Sequence, residues 1–321
     1  VPIGSITKMM VAFVVLADYP LVAGASGPSV TVYQEDVDAY NLELLDGQSV
    51  VAIAPGEMLD EYQLLEGLLV HSSNDYAALL ASLDAGSIDA LVAKMNAEAQ
   101  KLGLTMTHYT DVSGVDPGSV STPHDQLILA EKLLANPVAS SIVAMTSVDL
   151  PVSGLVTSYQ PLLGSKGVVG VKSGLTSEAG GCDVMAVDES IAGHPVEILA
   201  AVTGQQGTDR LASAGDAAMA IVSSVDSTIQ RVPISGNRVP IANLGWPKSY
   251  APVNLAKSLI IPAWPGQKVT VEVLAARRFR DWLRRGQIAA YVVVHSATFS
   301  AKVPAKIVQD LHEPTLLQRV V

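Results

Sequence analysis

At 321 residues the chain is long for a single core, so two domains are the expectation. Hydrophobic residues make up 49% and charged residues 16%, enough to bury a large core, and the net charge of −11 leaves no broad cationic footprint of the kind nucleic acid binding needs. No apolar run approaches membrane-spanning length, and the single cysteine, Cys182, excludes an internal disulfide and a CxxC metal site.

The opening stretch "VPIGSITKMM" lacks the basic flank and small-residue cleavage site of a signal peptide, as a mature exported protein also would. Ile6 to Leu16 is apolar nearly all round and reads as a buried helix. "PSVTVYQEDV" reads as a short strand followed by a turn, and "APGEMLDEYQLLEGLLVHSSNDYAALLASL" holds two helical patterns that meet near Val70 to Asn74. "SIDALVAKMNAEAQKLGL" is an amphipathic helix stopped by Gly103. "STPHDQLILAEKLLANP" opens on a Ser/Thr cap and an early proline, then runs helical until Pro137.

After Pro151 the pattern changes. "GVVGVKSGL", "GCDVMAVDES" and "PVEILAAVTG" read as consecutive antiparallel strands, with Cys182 a small buried residue in the second. "TDRLASAGDAAMAIVSSV" follows as a long helix capped by Thr208 or Asp209. From about Thr228, prolines 233, 240, 247, 252, 262 and 265 recur between short β-branched runs, and the only helical pattern left lies near Phe279 to Leu283. The boundary is therefore placed near Ser227, giving domains 1–227 and 228–321, the second small and all-β. The basic run "ARRFRDWLRR", Ala276 to Arg285, reads as one solvated face, though it could meet an anionic polymer or lipid head groups.

Three short motifs carry chemistry. In "SITK", Ser5 and Lys8 share a helix face. A helix N-terminus and burial both disfavour an ammonium, and a neutral lysine amine can take the proton a serine must lose before attacking a carbonyl. The same spacing is also met by an ordinary serine cap. In "HSSND", Ser72 and Asn74 sit between two helices, where a hydroxyl could relay a proton and an amide could hold a substrate carbonyl; cap and turn residues would read alike, and Ser235-Gly236-Asn237 repeats the pattern elsewhere. In "VKSGL", Lys172, Ser173 and Gly174 lie within a strand, where a bare glycine invites close backbone approach by an added peptide strand, and the lysine and hydroxyl suit a carboxylate; otherwise this is a strand-end turn.

Each motif alone favours its plain reading; the order S-x-x-K, S-x-N, K-[ST]-G on helix, interhelix loop and strand favours function. This is the motif set of penicillin-binding proteins and serine β-lactamases. "PIGSITKMM", "LLEGLLVHSSNDYAALLA", "MNAEAQKLGLTMTHYTDVSGVDPGSVSTPHDQLILAEKLL" and "GVVGVKSGLTSEAGG" resemble the low-molecular-mass D-alanyl-D-alanine carboxypeptidases over Val1 to about Val225. "SLIIPAWPGQKVTVEV" and "LRRGQIAAYVVV" resemble, less strongly, the β-rich C-terminal domain of the same enzymes.

The resemblance implies an α+β transpeptidase-like fold, helices around an antiparallel sheet, followed by the small β domain. It implies Ser5 as acylated nucleophile, Lys8 as general base, Ser72 in proton transfer, and Asn74, Lys172, Ser173 and Gly174 on the substrate. Leu175 would donate a backbone N–H to an oxyanion hole with that of Ser5, and Arg210 would meet the terminal carboxylate. The implied partners are a peptidoglycan stem peptide ending in D-Ala-D-Ala and β-lactams as covalent inhibitors, with no cofactor and no metal, outside the cytoplasm in the bacterial envelope. Three departures stand out: Lys-Ser-Gly replaces the common Lys-Thr-Gly, Ser73 and Leu175 occupy variable positions, and the sequence starts four residues before Ser5, where family members usually carry strands, so that segment is expected to be absent, whether cleaved or missing. Two other functions fit less well. A class A β-lactamase would need a deacylating glutamate, and "EKLLAN", Glu131 to Asn136, is off by one in spacing; a non-catalytic wall-binding protein would not need the intact motifs. No amphipathic anchor shows in "QDLHEPTLLQRVV", which leaves membrane association open.

Overall fold

A computed structural model describes residues 1–191, 193–235, 240–246, 249–276, 282–296 and 299–312. The chain divides into two compact units, one formed by 1–189 with 197–223 and the other by 190–196 with 224–321.

In the first unit a 3₁₀ turn, Gly4–Thr7, leads into α1, Lys8–Asp18. Gly4 has φ +54°, a left-handed bend that glycine adopts without steric penalty, and it turns the chain from Ile3 into the helix. Met9, Met10, Val11, Ala12, Val14, Val15 and Leu16 are all buried, so α1 is the central helix of the core, packed against α3, α4, α5 and α6 (ranges below). Burying each larger apolar side chain contributes about 1.5–3 kcal/mol.

Strand β1 (Ser29–Thr31) pairs antiparallel with β2 (Met58–Asp60), and α2 (Gln34–Leu45) lies between them in sequence. The turn expected after β1 is therefore a helix. Asp36 accepts the Tyr33 N–H at 2.7 Å and fixes its start. Helices α3 (Glu61–Leu69), α4 (Asn74–Ala85), α5 (Ile88–Lys101) and α6 (Pro123–Leu134) follow where the periodicity put them, with Gly103 at φ +74° after α5. Pro137 does not simply end α6; it opens a further short helix, α7 (Pro137–Val143), capped by the Asn136 side chain, because proline suits a first helical turn.

A hairpin, β3 (Ser147–Leu150) with β4 (Gly154–Thr157), precedes the main sheet of β5 (Val168–Thr176), β6 (Gly180–Ile191) and β7 (His194–Gln205) in that order. Helix α8 (Arg210–Thr228) starts with the Ala212 N–H on Asp209 at 3.0 Å, so Asp209 is the capping residue, and the division between units falls within this helix.

Beyond the end of α8, the elements of the second unit among the described residues are all strands. Its strands are β8 (Gln230–Ser235), β9 (Pro240–Trp246), β10 (Ser249–Leu255), β11 (Leu259–Ala263), β12 (Thr270–Ala275), β13 (Trp282–Leu283), β14 (Ile288–His295), β15 (Ser300–Ile307) and β16 (Leu311–His312). A five-stranded sheet runs β12-β14-β15-β10-β9 over a core that includes Val253, Leu255, Ile261, Val292, Val294 and Ile307. Several prolines expected between strands lie inside them. Pro233 and Pro262 sit in the two-stranded β8–β11 ribbon, where each strand has an edge needing no N–H, and Pro252 lies in β10 just before the stretch that pairs with β15. Trp282 and Leu283 form a strand rather than the end of a helix. Residues 277–281, within the basic run, Gly236 and Asn237 of the second S-x-N, and 313–321 lie outside the described residues.

Candidate active site

The first unit holds an open cleft of about 520 Å³ lined by Ser5, Ser72, Asn74, Ser173, Gly174 and Leu175, with Gln48 and Tyr159 among its other walls. The three motifs therefore meet at one place, from the start of α1, the α3–α4 loop and β5.

Lys8 is fully buried behind Ser5. Its Nζ lies 3.0 Å from Ser5 Oγ, 2.7 Å from Asn74 Oδ1 and 2.9 Å from the Ser113 carbonyl oxygen. Burial, then the positive charge of Lys172, holds its pKa well below the usual lysine range. A neutral amine has two N–H donors and one lone pair. Asn74 Oδ1 and the Ser113 carbonyl can only accept, so they take the two N–H groups. The lone pair is left for Ser5 Oγ, the only one of the three partners with a proton to give.

The acceptors are themselves fixed. Asn74 donates through Nδ2 to Gln48 Oε1 at 2.7 Å, and its backbone N–H bonds the Ser49 carbonyl at 2.8 Å. Asp75 accepts the Val51 N–H at 3.1 Å and also the Ser73 hydroxyl, while burial pushes its carboxyl up to about 6. The loop at 48–51 thus holds the start of α4. On the other side, Asp111 Oδ2 gathers the Ser113 hydroxyl at 2.6 Å, the Gly114 N–H at 2.7 Å and the Val115 N–H at 2.9 Å, which sets the path of the Ser113 carbonyl.

Ser72 has φ +63°, rare for a residue with a side chain, and its buried hydroxyl has no hydrogen-bond partner among the described residues. Ser73, not Ser72, caps α4, accepting the Tyr76 N–H at 3.4 Å. The capping explanation of this motif therefore applies to its middle residue and leaves Ser72 unexplained by local structure.

On β5, Gly174 permits close approach by the protein's own 3₁₀ turn, where its sequence context predicts an added peptide strand: a Cβ there would lie 2.7 Å from the Ser5 nitrogen. A Cβ on Gly4 would lie 3.3 Å from the Leu175 nitrogen. The two glycines thus let the 3₁₀ turn and the end of β5 pack closely at the cleft, which Ser5 and Leu175 both line. Ser173 donates its hydroxyl to the Tyr159 carbonyl at 2.9 Å. Lys172 is buried and donates to the Ser173 carbonyl at 2.9 Å; burial pulls its pKa down to about 7 against an opposing pull from Asp183. Lys172 stands behind the lining rather than in it. Arg210 also stays out of the lining and donates to the Thr176 carbonyl at 3.4 Å, at the end of β5. Glu131 is exposed on α6 and does not line the cleft.

Gln48, Ser113 and Tyr159 were not singled out from the sequence. Ser113 acts through its carbonyl, which any residue carries; the only trace of it is the turn-rich string "DVSGVDPG".

The family described as D-alanyl-D-alanine carboxypeptidase (Peptidase_S11) matches residues 1–206. The chain is 41% identical over 136 residues to D-alanyl-D-alanine carboxypeptidase DacB2 of Mycobacterium tuberculosis, covering 40% of this chain and 46% of that protein. Among solved structures, it is similar to a D-alanyl-D-alanine carboxypeptidase from Mycobacterium tuberculosis, with a TM-score of 0.55 and 32% identity, over 68% of this chain and 82% of that one. Penicillin binding protein 5 from Haemophilus influenzae shares the fold over 97% of this chain and 90% of its own, with a TM-score of 0.63 and 19% identity. The chain spans less than half the length of the first curated relatives it matches, at 46%, 32% and 44%.

Proposed function

The chain belongs to the D-alanyl-D-alanine carboxypeptidase family, and on that premise we propose that it is a serine-type DD-carboxypeptidase acting on peptidoglycan stem peptides. The observation that carries this reading is the set of partners around Lys8 Nζ, in which two pure acceptors direct the amine lone pair to Ser5 Oγ.

The steps follow from that geometry. Lys8 takes the Ser5 proton as Oγ attacks the carbonyl between the two terminal D-alanines. The N–H groups of Ser5 and Leu175 hold the oxyanion of the tetrahedral intermediate. Lys8, now an ammonium, returns the proton to the leaving D-alanine amine through the unpartnered hydroxyl of Ser72. Water then attacks the acyl carbonyl and gives a proton to Lys8, and as the acyl–Oγ bond breaks Lys8 passes that proton to Ser5 Oγ, which releases the carboxylic acid product and restores both residues. Asn74 meets the substrate backbone, and Gly174 lets the peptide lie along β5. The cationic field of Lys172, with Ser173 and the nearby Arg210, favours the terminal carboxylate. Side-chain acid–base chemistry supplies every proton transfer, so the sequence of steps calls for no cofactor.

The catalytic role is assigned to residues 1–227, and 228–321 to a separate β-rich module. The substrate places the action in the bacterial cell envelope, in wall metabolism and cell shape. β-Lactams present a strained carbonyl to the same Ser5 and would acylate it. The test is mass spectrometry after incubation with penicillin: one penicilloyl adduct on the peptide containing Ser5, released slowly, together with D-alanine release from a D-Ala-D-Ala peptide. Absence of both would refute the reading, and rapid drug release would turn it toward a β-lactamase.

A further inference from the structure

Tyr159 is the wall shared by two cavities. One is the catalytic cleft; the other is a neighbouring hollow of about 320 Å³ that includes Pro161, Leu162, Ala212 and Asp216 in its lining. Leu211 of α8 is the other residue common to both. Tyr159 adjoins the Ser173 end of the site, because its carbonyl takes the Ser173 hydroxyl. That is the end read above as meeting the terminal carboxylate, and hence the leaving D-alanine.

The ring is not free to swing. His71 packs against it at a tilt of 34° with centroids 4.7 Å apart, and the Tyr159 hydroxyl lies 3.4 Å from His71 Nε2. His71 Nδ1 lies 2.9 Å from the Thr157 carbonyl oxygen. A carbonyl cannot donate, so Nδ1 carries the hydrogen, and in the neutral ring Nε2 is an acceptor for the tyrosine hydroxyl. His71 is thus tied through one nitrogen to the last residue of β4 and through the other to Tyr159 just after it, and it immediately precedes the strained Ser72. Tyr159 nonetheless keeps 41% of its surface exposed, an aromatic face left open toward the cavities.

We infer that Tyr159, held in place by His71, is the specificity-determining wall on the leaving-group side: it separates the catalytic cleft from the neighbouring hollow and restricts the departing residue to one as small as D-alanine. Tyr159 would touch the leaving residue, and His71 is a positioning residue acting through it. The inference rests on the carboxypeptidase reading. It adds what decides between release of a single D-alanine and cleavage before a bulkier amine.

The test compares kcat/KM for two N-acylated peptides that differ only in the last residue, ending in D-Ala-D-Ala or D-Ala-D-Phe. Removing the Tyr159 ring joins the two cavities while leaving its carbonyl for Ser173, so Tyr159→Ala should reduce the preference for the D-Ala leaving group by about ten-fold or more, the scale on which pocket walls discriminate side chains. His71→Ala should shift the ratio the same way, and His71→Gln, which can both donate and accept, should recover part of it. An unchanged ratio in Tyr159→Ala, or equal loss on both peptides in His71→Ala, overturns the inference. Failure of the underlying reading is distinguishable, since wild type would then form no penicilloyl adduct and cleave neither peptide.

Discussion

Ser5 Oγ stands 3.0 Å from Lys8 Nζ because the chain passes from a 3₁₀ turn into an α-helix between them. In a 3₁₀ turn residues three apart are eclipsed rather than offset, so the serine hydroxyl lies directly beneath the lysine side chain. The same turn brings the Ser5 nitrogen against β5 at Gly174. One local irregularity in the backbone therefore sets the Ser5 hydroxyl beside the Lys8 amine and the Ser5 nitrogen beside Gly174.

Ser5→Ala should abolish penicillin labelling while leaving the fold intact, with a change in stability within about 0.5 kcal/mol, as expected away from tightly packed positions. Intact mass spectrometry and a thermal melt together check this. An adduct on the mutant at another residue would mean that a different serine is the nucleophile.

Lys8→Arg separates a base from a fixed cation. Guanidinium keeps its proton in proteins. If the neutral amine takes the Ser5 proton, acylation by penicillin should slow by at least the roughly 10²–10⁴-fold that general base catalysis contributes. The wild-type rate should rise with pH as Lys8 loses its proton, on a limb well below the usual lysine range because burial depresses its pKa. A Lys8→Arg protein acylating at near wild-type speed would remove Lys8 from the mechanism.

The helix-borne motif was legible because its chemistry is local: three residues separate Ser5 from Lys8, and the apolar run after them marks a buried helix. Gly174 was legible for a similar reason, since a glycine inside a strand asks for an explanation. Helix α2 was not legible. It has no fully buried residue, and Leu42, Leu44 and Leu45 face solvent, so no apolar stripe betrays it. The prolines of β8, β10 and β11 misled because a proline looks like a break unless the free edge beside it is known. Gln48 and Tyr159 meet the motifs only through tertiary structure, and the Ser113 carbonyl carries no residue-type signal at all. The Arg210 expectation rested on its place at the head of α8, and its guanidinium lies 3.4 Å from the Thr176 carbonyl at the end of β5, a contact that only the tertiary structure reveals.

Ser72 combines a left-handed backbone with a buried hydroxyl that has no hydrogen-bond partner among the described residues. Relieving such backbone strain is worth about 1 kcal/mol. Ser72→Gly should therefore melt higher than Ser72→Ala, while both lose D-alanine release to a similar extent because both lack the hydroxyl. Equal melting temperatures would show that the backbone is not strained there, and retained activity in either variant would show that the hydroxyl is not used.

Glu61 is fully buried at the start of α3, with neither carboxylate oxygen hydrogen-bonded among the described residues, and burial raises its pKa to about 7. Between about 4.5 and about 7 the folded state holds a proton that the unfolded state has released, so stability falls as pH rises through this window. Glu61→Gln removes that titration. The difference in melting temperature, mutant minus wild type, should grow more positive from pH 5 to pH 8; a constant difference would show that Glu61 does not contribute to the pH dependence.

Lys172 acts on Lys8 without touching it. Its positive charge is the second cause, after burial, of the depressed Lys8 pKa. A neighbouring cation disfavours a second ammonium, so replacing Lys172 with methionine, of similar length and no charge, should raise the Lys8 pKa. Lys8 must be neutral to accept the Ser5 proton, so the acid limb of the acylation rate should move to higher pH in Lys172→Met. Lys172→Arg, which keeps the charge, should leave the limb near its wild-type position or lower it, because arginine stays charged where Lys172, with a pKa of about 7, begins to lose its proton. The measurement is the second-order rate of penicillin acylation across pH for the three proteins. It is informative even if Lys172→Met also weakens carboxylate binding, because lost affinity lowers the whole profile whereas lost repulsion displaces its limb. A limb that stays in place, or moves down, in Lys172→Met would mean that the strand lysine serves the substrate alone and does not tune the base.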